Sequence, residues 1–313
     1  MKILIVGSSG YVGSNLISLY SRESNNKIFG ISRSVHSNEK LQFNFIGDVS
    51  NLEFVASINL EFDVIINCIA NTGHFGLKNI FFRDNVLTVK NLLEAFDGKY
   101  KTFIHLSTEA VYLSGKLPIL SEEIMLPKYN LSTYSWSKKL AEIFINQFKS
   151  AFNSKIIIIR PRLIWGGSNS GVLGKILNAS KKNLFFYVDA GKYLSSSTHI
   201  LNLYKGINCA IKYGKNKKTY FITDGDPIMF NELIKRIMGK QFKKDFPSLS
   251  RRLIYPLCLL CDLVNFLTFR FFKMPLSRSV YYLTFSEVIV DISLAKTELN
   301  FIPDSIGKIN NEY

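Results

Sequence analysis

KILIVGSSGYVG, Lys2 to Gly13, is the stretch that decides the fold. Ile3 to Val6 are aliphatic without a polar alternation, the composition of a parallel strand covered on both faces. Gly7, Gly10 and Gly13 follow as G-x-x-G-x-x-G, and Tyr11 to Tyr20 reads as a helix. A buried strand, a glycine turn and a helix N-terminus in that order suit a dinucleotide. Backbone without Cβ atoms can approach a pyrophosphate closely, and the first N–H groups of the helix are free to donate to it. Gly7, Gly10, Tyr11, Val12 and Gly13 are therefore the expected phosphate-side residues.

Outward from this stretch, strands are expected at Lys27 to Ser32, Phe43 to Ile46, Asp63 to Ala70, Thr102 to Ser107 and Lys155 to Arg160. Helices are expected at Asn85 to Phe96 and Ser132 to Phe148. The alternation predicts an α/β fold, a doubly wound parallel Rossmann sheet over residues 1–165. After Arg160 the chain turns irregular in RPRLIWGGSNSG. A smaller substrate-binding region is assigned to 166–197 and 223–313, with 198–222 returning to the first domain. Within these, YFITDGDP (Tyr220 to Pro227) reads as a strand and turn, Phe230 to Met238 as a helix, and Glu287 to Leu299 as a strand or turn before a helix.

The 313 residues, 47% of them hydrophobic, suffice for a full core. Cys68, Cys209, Cys258 and Cys261 are scattered without zinc spacing, so neither a metal nor a disulfide framework is expected. Cys258 and Cys261 read as two buried residues on one helix face. The net charge of +15 comes with no zinc-finger or RNA-binding signature, which argues against nucleic acid. The apolar run at the N-terminus is too short for a signal peptide, and a cytoplasmic protein is expected.

The end of the second strand, GISRS, carries Ser32 and Arg33 where an acidic residue would bind a ribose 2′-hydroxyl, so NADP is expected in preference to NAD. Asp48, followed by Val49 after the third strand, is a candidate to meet the adenine. Ala70 falls in the Asn67 to Asn71 stretch expected to line the groove.

Tyr134 and Lys138 lie four residues apart on a predicted helix and share a face. An ammonium beside a phenol favours the phenolate and brings it toward a useful acid–base range. Tyr112 with Lys116 and Tyr213 with Lys217 repeat the spacing, but Gly115 and Gly214 interrupt any helix there. Ser107 and Thr108 end the strand FIHLS at the carboxyl edge of the sheet, where a hydroxyl can hold a substrate oxygen.

The residues GSSGYVG, HLSTEAVY and YSWSK together resemble the extended short-chain dehydrogenase/reductase family. STEAVY, RPRLIWGG, SSSTHILN, YFITDGDP and EVIVDISLAKTELNFIP are similar to its 3β-hydroxysteroid or sterol dehydrogenase-like branch. The resemblance implies Thr108, Tyr134 and Lys138 as the catalytic trio, Asn85 and Asp48 as cofactor residues with Ser107, Tyr134 and Lys138 also expected to meet the cofactor, and interconversion of a secondary alcohol and a ketone. Glu109 is followed by Ala110 instead of the second acid of the family's dehydratases, which disfavours dehydration. A nucleotide-sugar 4-epimerase or ketoreductase stays open, as does a non-catalytic NADP-sensing protein, although a sensor has no chemical need for Tyr134 and Lys138. His199 and Trp165 read as structural, and Arg160 and Arg162 either as structural or as phosphate contacts.

The partner expected is a small molecule, a hydrophobic alcohol or ketone or a nucleotide sugar, with a homodimer left open. Residues 251–273, RRLIYPLCLLCDLVNFLTFRFFK, are the most apolar stretch of the chain. Their uncharged runs fall short of the ~20 residues that span a bilayer. They are expected either as a membrane-surface helix with flanking cations or as an internal lid.

Overall fold

The computed structural model describes residues 1–35, 38–73, 76–116, 119–167, 174, 176, 178–180, 182–239, 246–268, 274 and 276–305. In chain order the elements that place the site are β1 (Lys2–Val6), α1 (Tyr11–Tyr20), β2 (Lys27–Ser32), β3 (Phe43–Ile46), α2 (Leu52–Ala56), β4 (Phe62–Asn67), α3 (Lys78–Phe82), α4 (Thr88–Ala95), β5 (Tyr100–Leu106), α5 (Thr133–Gln147) and β6 (Lys155–Pro161). They are followed by α6 (Ile200–Tyr213), β7 (Thr219–Ile222), α7 (Phe230–Met238), α8 (Arg251–Leu267), α9 (Arg278–Thr284) and α10 (Ser293–Glu298).

The seven strands form one parallel sheet in the order β3-β2-β1-β4-β5-β6-β7. From β1 the chain first builds outward to β3 and then crosses back to build β4 to β7 on the other side. The order therefore reverses between β1 and β4, which leaves a crevice at their carboxyl ends. Alternate residues of the aliphatic runs face opposite layers. Ile3, Ile5, Ile157 and Ile159 pack with α1 and α6, while Leu4, Val6, Ile156 and Ile158 pack with α4 and α5.

Several bounds differ from the sequence expectation. β4 ends at Asn67, because the Asn67 side chain accepts from the Ile69 N–H at 3.1 Å and turns the chain out of the strand. The helix expected from Asn85 begins at Lys78 and carries a π turn over Arg83–Leu87. α6 was not foreseen as a helix, although Ile200, Leu203, Ile207 and Ala210 form its buried stripe and Gly214 ends it.

Beyond β7 the chain serves two cores. α7 packs with Trp165, Tyr187 and Tyr193, and α8 and α9 enclose Ile254, Cys258, Tyr281 and Phe285. By contrast, Val290, Ile292, Ala295, Leu299 and Phe301 return to the core beneath the sheet. There Glu298 accepts from the Tyr220 hydroxyl of β7 at 2.8 Å.

α8 buries only Ile254, Cys258, Cys261 and Asn265, and both cysteines are free thiols on that inner face. Leu253, Leu257, Leu259, Leu260, Leu263, Phe266 and Leu267 are exposed, Leu253 by 68% and Phe266 by 76%. No helix among the described residues is long and apolar enough to cross a membrane. Arg270 and Lys273, expected to flank this segment, lie outside the described residues.

Candidate active site

At the crevice, Gly7 takes φ +86°, and a Cβ added there would press on Cys68 and Ile69 at the end of β4. A Cβ on Gly13 would stand 2.2 Å from the Gly7 carbonyl, so α1 approaches the turn only because Gly13 has no side chain. Gly10 caps α1 with no side-chain hydrogen bond, which leaves the helix N-terminus to an external acceptor. In front of the turn lies a cleft of about 520 Å³, lined among others by Gly7, Gly10, Ser32, Arg33, Asp48, Val49 and Ala70. Its polar, glycine-framed floor fits a dinucleotide.

At the far end of the cleft the Ser32 hydroxyl donates to the Ser34 carbonyl at 2.8 Å and accepts from the Asn44 amide at 2.9 Å. The one proton of this hydroxyl is thus committed within the protein. Burial raises the Asp48 carboxyl, but the Ser50 donors and the Arg83 and Arg33 charges outweigh it and hold Asp48 below the usual carboxylate range.

One strand along the sheet, β5 delivers Ser107 and Thr108 beside the first turns of α5, which Ser132 caps by accepting from the Ser135 N–H at 3.0 Å. Thr108 donates to Glu109 at 2.7 Å, and its hydroxyl lies near the Tyr134 phenol. Lys138, fully buried, donates to the Leu106 carbonyl at 2.7 Å and meets the His105 ring at 3.1 Å. The sequence expectation that Lys138 lowers the Tyr134 phenol is not what the structure displays. Burial first, then the Glu109 charge, raise this phenol well above its ordinary value against the Thr108 hydrogen bond. Burial also pushes the Lys138 ammonium down to about 8, against the pull of Glu142 and Cys68.

Beneath these groups Glu142, one turn after Lys138 on α5, accepts from Ser107 and from Arg160 Nε at 2.9 Å. Arg160 also donates to the Tyr112 hydroxyl at 2.7 Å. Arg162 is buried on Ser195, Ser196 and Leu283, with Glu109 at 3.8 Å. Both arginines thus have partners within the protein.

Of the residues singled out in the sequence, Thr108, Tyr134 and Lys138 come together, and the seven cleft residues named above line one cavity. Tyr11, Val12, Gly13, Asn85 and Ser107 stand outside its lining. Tyr11 donates to the Gly166 carbonyl. Asn85 sits in the π turn, where it holds both backbone groups of Asn71 and donates to Ser137 of α5 at 2.8 Å. It thereby fixes the cleft wall to the helix of Tyr134.

His199 caps α6 and packs edge-on against Trp165, and burial holds its ring down to about 4. The neutral ring leaves no room at Gly166, where a Cβ would lie 1.9 Å from Nε2. Asp224, which sequence reasoning passed over as part of a turn, is buried and accepts from Trp165, Ser197, His199 and Asn202. Glu142 was also missed, although a carboxylate four residues after a helical lysine is a readable signal.

The profile described as the NAD dependent epimerase/dehydratase family matches residues 3–222. A 4-hydroxy-2-methyl-3-oxo-4-farnesyl-3,4-dihydroquinoline-1-oxide ketoreductase from Stigmatella aurantiaca is 30% identical over 249 residues, covering 77% of this chain and 73% of that protein. A decarboxylating sterol-4-alpha-carboxylate 3-dehydrogenase from Dictyostelium discoideum is 26% identical over 264 residues, covering 80% and 78%. Among solved structures, a UDP-glucuronic acid 4-epimerase from Bacillus cereus in complex with NAD superposes with a TM-score of 0.74 over 98% of this chain and 95% of that one, at 20% identity. That likeness shows the fold.

Proposed function

Because this chain belongs to the NAD dependent epimerase/dehydratase family and is an NAD-dependent oxidoreductase, we propose that it interconverts a hydrophobic secondary alcohol and ketone, with NADP as the preferred cofactor. The observation that carries the reading is the meeting of Thr108, Tyr134 and Lys138 at the carboxyl edge of β5, beside the glycine-framed cleft. Gly7, Gly10 and the α1 N-terminus would hold the pyrophosphate, with Asp48 and Val49 at the adenine and Arg33 at the 2′-phosphate. When bound, the cofactor supplies or accepts a hydride.

In the reducing direction the carbonyl carbon gains the hydride, and the C=O π pair moves onto oxygen. That oxygen takes the phenolic proton of Tyr134, which solvent then replaces. Thr108, near the Tyr134 hydroxyl, positions the same oxygen. Because burial and Glu109 raise the phenol, Tyr134 holds its proton until the developing alkoxide, a stronger base, takes it.

With 4-deuterated NADPH and a panel of lipophilic ketones, deuterium is expected on the carbinol carbon of the product. A 4-epimerase, the second reading, would return the hydride to its own substrate and leave no deuterium in product. The same assay should run better with NADPH than with NADH, and Arg33→Ala should narrow the difference. Ser32 has no carboxylate to accept from a ribose, and Arg33 is the cation lining that end of the cleft. Equal or better turnover with NADH would remove the phosphate contact.

The two relatives act, by name, on a farnesyl quinoline oxide and on a sterol, and α8 offers a matching surface. Between Leu253 and Leu267 its only charge is Asp262, bound to Arg278 at 2.8 Å, and Arg251 and Arg252 stand at its start. In this reading α8 lies on an anionic bilayer, with its leucines among the acyl chains and its arginines at the headgroups. The protein should sediment with phosphatidylserine-containing vesicles. Leu259→Glu with Phe266→Glu should abolish this without unfolding, because both side chains are exposed. Intact protein that stays in the supernatant at low salt would refute the contact.

A further inference from the structure

Under Lys138 lies a buried polar pair that the chemistry above does not use. Asn67 of β4 and His105 of β5 are register neighbours, both wholly inaccessible to solvent. Asn67 Oδ1 accepts from the Ile69 N–H at 3.1 Å, which fixes the orientation of the amide. Its Nδ2 then faces His105 Nδ1 at 3.3 Å and can only donate. His105 is neutral, since burial in a wholly inaccessible site holds its pKa well below the ordinary value whether or not Lys138 is charged. A neutral ring that accepts at Nδ1 carries its proton on Nε2, and Nε2 faces Lys138 Nζ at 3.1 Å.

Two donors would meet there if Lys138 were an ammonium. Moving the ring proton to Nδ1 transfers the conflict to Asn67, and turning the Asn67 amide transfers it to the Ile69 N–H. Every arrangement with an ammonium leaves one donor facing another in a dry site, which is costly. With a neutral amine every group is matched, because Nζ accepts from His105 and donates to the Leu106 carbonyl.

We infer that Asn67 and His105 position Lys138 so that the cofactor-free protein holds it as a neutral amine at mildly alkaline pH, where binding the anionic cofactor brings one proton onto it. The inference rests on the reading of Lys138 given above. The other ionisable groups facing Lys138 are Glu142 on its own helix, Cys68 after β4 and Tyr134 one turn earlier on α5. Glu142 and Cys68 favour the ammonium, yet Glu142 is neutralised by Arg160 at its own carboxylate and the Cys68 thiol is driven up by burial to about 12. His105 is the group in direct contact.

Calorimetric titration of the whole protein with NADH, which has no 2′-phosphate to titrate, in two buffers of different ionisation enthalpy counts the protons taken up. Uptake should approach one proton at pH ~9 and fall toward zero at pH ~6.5, where the amine is already protonated. Lys138→Met should take up none. Asn67→Asp should lose most of the uptake at pH ~9. A carboxylate accepts both the Ile69 N–H and a His105 Nδ1–H, so Nε2 is freed to accept from a resting ammonium. Asn67→Ala, which removes the fixed donor, should move in the same direction and serves if the aspartate variant does not fold.

No uptake in the wild type, or wild-type uptake in either Asn67 variant, would overturn the inference. So would unchanged uptake in Lys138→Met, even with turnover lost. Turnover retained in Lys138→Met with the uptake gone would instead overturn the catalytic reading and leave this one standing.

Discussion

Tyr134→Phe should lower kcat by about 10²- to 10⁴-fold, the range expected for a positioned proton donor, while cofactor affinity stays within about twofold of wild type. The hydroxyl removed meets Thr108, and Tyr134 is not among the residues that line the cofactor cleft. The substrate oxygen would still be placed by Thr108 but would have to find its proton in solvent. Single-turnover kinetics with saturating NADPH, set beside the dissociation constant from fluorescence, separates the two effects. A kcat within about tenfold of wild type would dismiss Tyr134 as the acid, and a non-catalytic sensor would regain its standing.

Glu142→Gln should cost about 3–5 kcal/mol of stability, because it leaves the buried Arg160 guanidinium without its counter-charge. The pair is almost wholly out of water, with side-chain exposures of 5% and 1%. Arg160 packs over the Tyr112 and Phe221 rings, so it cannot move to solvent without opening the core. Urea denaturation measures the loss. Arg160→Met combined with Glu142→Leu should be less damaging than Glu142→Gln alone, since both charges then leave together. A loss under about 1 kcal/mol in Glu142→Gln, the scale of an exposed pair, would mean that water reaches the site.

The strands of the first half were legible because burial on both faces leaves an unbroken aliphatic run, as in Ile3–Val6 and Ile156–Ile159, and the glycine turn because Gly7 and Gly13 have steric duties that no other residue meets. Thr108, Tyr134 and Lys138 stand out in the sequence through a strand end, a four-residue spacing and the family resemblance together. What those residues do to one another does not. The rise of the Tyr134 phenol depends on burial and on Glu109, and the state of Lys138 on an amide two strands away from its helix. Neither leaves a mark in local sequence. The bound at Ala70 failed because a single side-chain acceptor, Asn67, ends the strand inside an apolar run. Among the expected cofactor residues some line the cleft and others, such as Asn85, brace its wall, and a motif marks both alike.

The return of Val290, Ile292, Ala295, Leu299 and Phe301 to the core beneath the sheet sets a constraint on biosynthesis. All seven strands have been made once residue 222 has been translated, yet the layer between α1, α6 and the sheet still lacks these five side chains. Once β7 has also emerged from the ribosome the sheet can be complete while this apolar face is still open. Because chains emerge from the N-terminus onward and exposed apolar surface invites aggregation, that face is open to a chaperone or to a neighbouring nascent chain while roughly eighty further residues, up to Phe301, are added, about 4–16 s at typical elongation rates.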